Sequence, residues 1–239
     1  MSKAADLIRK VKNTTCSVVV VAAGSSTRMG KDKLFLDLEG IPVLARTLRV
    51  FEECGFVQEV ILVVREDRAE KAADLCRTCG IQKVAKIIFG GATRTESVLA
   101  GVSSISRDAR IVLVHDGARP LVTEDIVYDA MHKAALYSAA APAIPVTDTI
   151  KEIQQDIVVR TPERSSLVAV QTPQAFVPEI LKAALTSAVR DGKEYTDDCA
   201  AVEAMGVRVR LCKGSPENIK ITRPIDMELA AEILRNRHE

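Results

Sequence analysis

The chain has 239 residues, of which 47% are apolar and only 3% are aromatic, and its formal net charge is +1. This composition suits an aliphatic core and argues against disorder, and the even charge balance excludes the basic excess typical of nucleic-acid-binding proteins. No segment reaches the ~20 apolar residues of a membrane span and the N-terminus lacks the apolar core of a secretory signal, so we expect a cytoplasmic protein without a membrane partner.

Apolar runs and helical patterns alternate through the first part of the chain. Strands are predicted at 16–23, 59–64, 86–91, 110–116 and 139–146, and helices at 42–55, 67–80, 95–105 and 123–139. Thr95 and Thr123 are predicted to cap the third and fourth of these helices. The βαβαβαβαβ order predicts an α/β protein with a doubly wound, mostly parallel sheet.

The alternation stops at residues 149–176, where β-branched stretches flank the polar turn QQD. This pattern predicts a β-hairpin arm, about 147–170, that projects from the sheet. Two helices, a strand, the short segment NIKI and a last helix with Pro224 at its start follow. Without repeats or a low-complexity linker, residues 1–239 are interpreted as one domain.

Six cysteines include the pair Cys76 and Cys79 in a C-x-x-C spacing. Without a second such pair or neighbouring histidines, this spacing favours ordinary packing over a metal or redox site.

Polar loops follow four of the predicted strands, and ligands of open α/β sheets bind at that edge. The first, AGSSTRMG, is followed by Lys31 and Lys33. It fits neither the G-x4-G-K-[ST] phosphate loop nor the G-x-G-x-x-G dinucleotide motif. Its backbone amides and its cations could hold a triphosphate, and a βα turn with solvated charges is the equal alternative.

The other loops add polar groups, each of which also has an ordinary structural explanation. Asp116 in VHDGARP could bind Mg²⁺ or could simply belong to a turn. Arg119 could bind a phosphate or form a surface ion pair. GGATRTES could contact a base or ribose, or only begin a helix. Lys220 and Arg164, taken alone, are equally consistent with solvated surface charges.

The ordered set VVAAGSSTRMG–KLFLDL, GGATRTESV, VHDGARPLV, PVTDTIKE, QTPQAF and NIKITRP covers nearly the whole chain. It resembles the 2-C-methyl-D-erythritol 4-phosphate cytidylyltransferases, nucleotidyltransferases of the non-mevalonate isoprenoid pathway. The resemblance implies a Rossmann-like fold, cytidylyl transfer from CTP to the polyol phosphate with release of pyrophosphate, Mg²⁺ or another divalent cation, and a homodimer that shares its active sites through the arm.

The resemblance also implies roles for individual residues. Nucleotide binding falls to Ala22, Ala23, Gly24, Ser26, Arg28, Lys33, Gly91, Ser97, Asp116 and Gly117, with Asp116 as the metal ligand. Acceptor binding falls to Arg119, Thr149, Arg164 and Lys220, with Thr149 and Arg164 reaching in from the second subunit. The catalytic residues are Arg28, Lys33, Arg164 and Lys220. Fixed cations and Mg²⁺ suit this chemistry, because the barrier is mainly charge on the transferring phosphoryl group.

Two features depart from the family pattern: the loop between Arg28 and Lys33 is shorter than in some members, and Ala92 stands where an acidic residue is frequent. Lys31 is a rival for the role of Lys33, which is preferred because Leu-Phe-Leu follows it. Two other functions stay open from the sequence: cytidylyl transfer to another polyol phosphate such as D-ribitol 5-phosphate, and nucleotide binding without catalysis.

Overall fold

A computed structural model describes residues 14–24 and 32–237, and an eight-stranded sheet forms its centre. The strands of this sheet are β1 (Cys16–Ala22), β4 (Val57–Val64), β5 (Val84–Phe89), β6 (Ile111–Asp116), β7 (Ala139–Pro145), β10 (Val168–Val170), β11 (Gln174–Phe176) and β12 (Arg210–Lys213). Their order is β10-β7-β11-β6-β1-β4-β5, with β12 also paired to β7. Strands β6, β1, β4 and β5 are parallel neighbours, which confirms the predicted doubly wound, mostly parallel sheet.

Helices cover both faces of the sheet. One face carries α1 (Val43–Glu53), α2 (Ala69–Thr78) and α4 (Glu124–Tyr137), and the other carries α3 (Arg94–Ser104), α5 (Pro178–Arg190) and α6 (Asp198–Glu203). Strand β1 shows why both faces are covered: Val18 and Val20 join one core, Val19 joins the other, and all are fully buried. A continuous apolar run is what a parallel strand needs when both its faces are packed.

The last helix, α7 (Pro224–Arg237), packs outside these layers. Its Ala230 and Leu234 meet Leu38, Leu121 and Ile221 in a third apolar cluster. Leu38 lies in a small ribbon of β2 (Asp37–Leu38) and β3 (Ile41–Pro42).

None of the helices within 14–24 and 32–237 combines the length and apolar character needed to cross a membrane.

Residues 149–176, which interrupt the alternation of strands and helices, contain both a hairpin and two strands of the central sheet. Strands β8 (Glu152–Gln154) and β9 (Ile157–Arg160) form the predicted hairpin as a separate two-stranded sheet. Strand β10 pairs antiparallel with β7, and β11 lies antiparallel between β6 and β7. The sequence did not predict this insertion, because strands of three residues are too short to show a period.

The cap predicted at Thr95 is wrong by two residues. Thr93 is the N-cap of α3: its hydroxyl accepts from the Glu96 amide at 3.1 Å, and the Glu96 carboxylate accepts from the Thr93 amide at 3.2 Å. This reciprocal pair is a capping box, which satisfies two amides that the helix cannot. Thr123 holds the N-cap position of α4 as predicted, although its side chain makes no capping bond.

Candidate active site

A cleft of about 450 Å³ opens at the edge of the sheet where β1, β5 and β6 end. Predicted site residues that line it are Ala23, Gly24, Lys33, Gly91, Ser97, Asp116 and Lys220. They come from separate parts of the chain and meet because parallel strands direct their carboxyl ends to one edge. The cleft therefore brings together the core of the predicted site.

Asp116, the last residue of β6, is the electrostatic centre of the cleft. Its Oδ2 lies 3.1 Å from Lys220 Nζ and 3.2 Å from Arg119 Nε. Burial raises the pKa of this carboxyl, but the neighbouring cations, Lys220 first, outweigh burial and hold the pKa at about 2. Asp116 is thus a fixed negative charge at neutral pH, paired with cations on the same oxygen.

A buried chain of hydrogen bonds behind Asp116 fixes the orientation of its backbone. The Asp116 amide donates to Thr172 Oγ1 at 3.1 Å, and Thr172 Oγ1 lies 3.0 Å from His115 Nδ1. His115 Nε2 lies 3.1 Å from the Arg119 carbonyl, which can only accept, so Nε2 carries the proton and Nδ1 accepts from Thr172. Burial lowers the pKa of His115 to about 4, so this imidazole is neutral at pH 7.

The segment that carries Lys220 is held by the fully buried Asn218. Its side-chain Nδ2 donates to the Thr172 backbone carbonyl at 2.9 Å, and the backbone carbonyl of Asn218 accepts from Arg119 Nη1 at 2.7 Å. The Ile221 amide then donates to the Ala118 carbonyl at 2.9 Å. These bonds on both sides of Lys220 place its ammonium at Asp116, although the segment forms no regular strand.

The loop after β5 wraps around the first turn of α3. Gly91 donates its amide to Ser97 Oγ at 3.1 Å, and Ser97 Oγ donates to the Thr93 carbonyl at 2.9 Å. The Glu96 carboxylate also accepts from the Ala92 amide at 2.6 Å. Since its proton is used within the loop, Ser97 in this geometry offers a ligand only an accepting lone pair.

An ion pair that the sequence analysis did not single out forms one wall of the cleft. Arg94 Nη1 and Nη2 donate to Asp198 Oδ1 and Oδ2 at 2.8 and 2.7 Å. Arg94 lines the cleft, whereas the Asp198 side chain is 1% exposed. The two residues are 104 positions apart, so no local sequence pattern signals such a pair.

The remaining predicted site residues that the structure describes lie outside the cleft lining. Ala22 and Gly117 are buried behind it, where the Gly117 amide donates to the Val21 carbonyl. Arg119 supports Asp116 from behind. Thr149 and Arg164 are exposed on the arm, and Arg164 Nη1 donates to the Thr147 carbonyl at 3.0 Å.

The assignments of Ser26, Arg28 and Lys31 lie outside the described residues, and their roles stay predictions. Lys33 is described and lines the cleft.

The donor set around Asp116 fits a divalent cation bound together with substrate phosphates. Within residues 14–24 and 32–237, no group of three or more His, Cys, Asp or Glu side chains could hold a metal ion alone. Mg²⁺ is commonly held by one or two carboxylates plus the phosphates of a nucleotide. Asp116 meets that requirement, since it is ionised and reaches the cleft.

The sheet is doubly wound, and its carboxyl edge carries cations, one carboxylate and a loop that presents backbone amides. This combination defines the class of protein: an α/β nucleotidyltransferase. Comparisons with known proteins agree. The family model described as 2-C-methyl-D-erythritol 4-phosphate cytidylyltransferase matches residues 16–236. The chain belongs to this family.

Curated relatives support the same family. The cytidylyltransferase of Symbiobacterium thermophilum is 44% identical over 91% of this chain and 92% of that protein. The one of Alkaliphilus oremlandii is 42% identical over 93% of this chain and 96% of that protein. Both carry the name 2-C-methyl-D-erythritol 4-phosphate cytidylyltransferase.

Solved structures agree with the fold. A 4-diphosphocytidyl-2C-methyl-D-erythritol synthase from Anaerococcus prevotii superposes with a TM-score of 0.84 at 28% identity, over 95% of this chain and 99% of that one. The cytidylyltransferase of Thermus thermophilus gives 0.78 at 33% identity, over 93% of this chain and all of that one. The predicted resemblance and fold class are confirmed.

Proposed function

We propose that this chain transfers the cytidylyl group of CTP to 2-C-methyl-D-erythritol 4-phosphate, giving 4-diphosphocytidyl-2-C-methyl-D-erythritol and pyrophosphate in the non-mevalonate isoprenoid pathway. The observation that carries the proposal is family membership over residues 16–236 combined with Lys33, Asp116 and Lys220 in one cleft. A protein that only bound a nucleotide would not need this set of charges around one carboxylate.

In the proposed reaction an oxygen of the acceptor phosphate attacks the α-phosphorus of CTP. The bond from that phosphorus to the oxygen bridging the α- and β-phosphates breaks, and pyrophosphate leaves with the bonding electron pair. An ionised phosphate needs no general base, so the work of the residues is alignment of two anions and stabilisation of charge. Neutral His115 supports the fold of the site and takes no proton from the substrate.

The residues divide this work by position. The amides of Ala23 and Gly24 follow β1 and suit the triphosphate, together with Arg28 and Lys33. Asp116 would hold Mg²⁺, and the ion would supply positive charge to the phosphates when bound. Lys220 is 42% exposed beside Asp116, where an acceptor phosphate can reach it.

The loop of Gly91 and Ser97 is assigned to the cytosine and ribose. Its amides are ordered by Glu96 and Thr93, so the loop is shaped before a nucleotide binds. Ala92 provides no acid at the position where the family often has one, so recognition of the base falls to the backbone of this loop.

The proposal includes a homodimer in which Thr149 and Arg164 complete the partner's site. Exposed apolar side chains on the hairpin support it: Ile153, Ile157, Val158 and Val159 are each more than half exposed. A two-stranded ribbon with such a surface is only marginally stable alone and gains stability from burial against a second copy.

The proposal also includes a cytoplasmic location, which is supported by the absence of disulfides among the six cysteines.

The activity is tested with purified protein, CTP and Mg²⁺, by measuring pyrophosphate release with each acceptor. Faster release with D-ribitol 5-phosphate than with methylerythritol phosphate would move the assignment to another polyol phosphate. Tight CTP binding without turnover on either acceptor would mark a binding protein.

The shared site is tested by mixing Arg164→Ala and Lys220→Ala subunits after denaturation and refolding. In a shared-site dimer, mixed dimers contain one intact site and recover part of the activity. Mixtures no more active than their parents, with a dimer confirmed by sedimentation, would refute sharing.

A further inference from the structure

The residues on either side of Lys33 are held by two cations from a different part of the chain. Lys33 begins a single 3-10 turn, Lys33–Phe35, between the loop after β1 and the ribbon of β2 and β3. Asp32 precedes this turn, and its carboxylate lies 2.8 Å from Arg68 Nη1. Lys71 Nζ lies 4.2 Å from the centre of the Phe35 ring. Arg68 is the last residue of the connection between β4 and α2, and Lys71 lies in the first turn of α2.

The Asp32–Arg68 pair is unusual for its position. Asp32 is the N-cap residue of the 3-10 turn, where an aspartate ordinarily accepts from the first amides, yet it makes no side-chain capping bond. Its carboxylate is used across space on Arg68 instead. The two side chains are only 19% and 17% exposed, so the pair is sheltered from the screening that weakens surface ion pairs.

The turn itself is fixed at the other residues. Leu34 is 4% exposed and packs in the main core, and the Phe35 and Leu36 amides donate to the carbonyls of Asp32 and Lys33 at 3.1 and 3.3 Å. A residue bracketed by a buried leucine on one side and a paired aspartate on the other has little rotational freedom in its backbone. That backbone determines where the Lys33 side chain enters the cleft.

We infer that Asp32 and Arg68 are a positioning pair, which acts through Lys33 by holding the base of its side chain at the cleft. The inference rests on the proposed role of Lys33 in phosphoryl transfer. Charge placed for a transition state loses its effect when its position shifts, even if the charge remains.

The test compares single-turnover rates of pyrophosphate release, and the steady-state KM for CTP, among the natural protein, Asp32→Asn and Arg68→Gln. Each variant is expected to lower the rate about tenfold, with the KM for CTP changed less than about twofold, because misplacement acts on the transition state more than on ground-state binding. Asp67→Asn is the matched control. Asp67 pairs with Arg65 at 2.9 Å in the same connection, but both are exposed, so the control is expected to leave rate and KM unchanged.

The decisive measurement is a double-mutant cycle with Lys33→Ala, run at high enzyme concentration. If Asp32 acts through Lys33, Asp32→Asn lowers the rate no further once Lys33 is absent. The same tenfold loss in both backgrounds would refute the inference, as would an unchanged rate in Asp32→Asn alone. A Lys33→Ala protein as active as the natural one would instead refute the proposed role of Lys33.

A purely structural role is distinguished by stability. Thermal unfolding of Asp32→Asn is expected to show a folded protein at the assay temperature, so that the lost rate belongs to the native state. A rate per folded molecule equal to that of the natural protein would overturn the inference. The charge-exchanged protein, Asp32→Arg with Arg68→Asp, is expected to recover part of the rate lost by either single exchange, and a loss equal to the sum of the two would count against the pair.

Discussion

Acidification is expected to destabilise this protein through one histidine. His115 is fully buried, packs edge-on against Phe51, and bonds through both ring nitrogens to Thr172 and Arg119. Protonation would place an N–H opposite the Thr172 hydroxyl and a charge in the apolar core. Burial therefore lowers the pKa of His115 in the folded state, whereas the unfolded chain restores the ordinary value.

The sign and size follow from the two values. The pKa of His115 is about 4 in the folded protein and 6.5 in the unfolded chain. At a pH between these two values, the unfolded chain binds a proton that the folded chain does not. Stability from this group is complete above the unfolded pKa and falls as the pH drops toward the folded one. A change from pH 7 to pH 5 removes about 2 kcal/mol of unfolding free energy, at about 1.4 kcal/mol per pH unit in the window.

Urea unfolding at both pH values measures this loss, and the comparison is with His115→Gln, which cannot titrate. The variant has a lower stability at pH 7 but is expected to lose about 2 kcal/mol less than the natural protein on acidification. Equal losses in the natural protein and His115→Gln would refute the reasoning.

Three further outcomes are expected at the cleft. Asp198→Ala leaves Arg94 without its carboxylate and is expected to cost about 3 kcal/mol of unfolding free energy, measured by urea unfolding, whereas a change below ~1 kcal/mol would contradict a buried pair. Asp116→Asn is expected to slow pyrophosphate release at least ~100-fold at saturating Mg²⁺, with unchanged activity excluding it as a ligand. Gly91→Ala brings a methyl group into the Glu96 side chain and is expected to raise the KM for CTP about tenfold through a displaced loop, while an unchanged KM would separate this loop from the nucleotide.

The parallel part of the fold was predictable because its signals are local. Strands β1, β4, β5 and β6 are largely apolar runs, and the helix that follows each of them has its own period and stop. Strand β11 was missed for a physical reason: its three residues form a strand because β6 and β7 pair with them on either side, and three residues are too short to show a pattern of their own. The error at Thr95 arose because either threonine could begin the helix, and only the reach of Glu96 selects Thr93.

The candidate site likewise has one part that local sequence signals predict and another that only the tertiary structure shows. Asp116, Gly91 and Lys33 were recognisable because each lies at or near the carboxyl end of a strand of the parallel sheet, within a stretch that resembles the family pattern. The partners that set their charge and position were not, since Asp198 and Asn218 act from distant segments and have no motif of their own. The sequence indicates which groups gather at the cleft, and the tertiary contacts determine how those groups are held.

The contacts around Lys220 have a consequence for how the protein is made. Arg119 and Asn218 are 99 residues apart, so the bond between them closes a very long loop, and its entropic cost comes before any gain. A chain emerging from the ribosome could complete β1, β4, β5 and β6 while Lys220 was still to be synthesised. A product shortened before residue 218 would contain all eight strands of the sheet yet lack the Lys220 ammonium at Asp116.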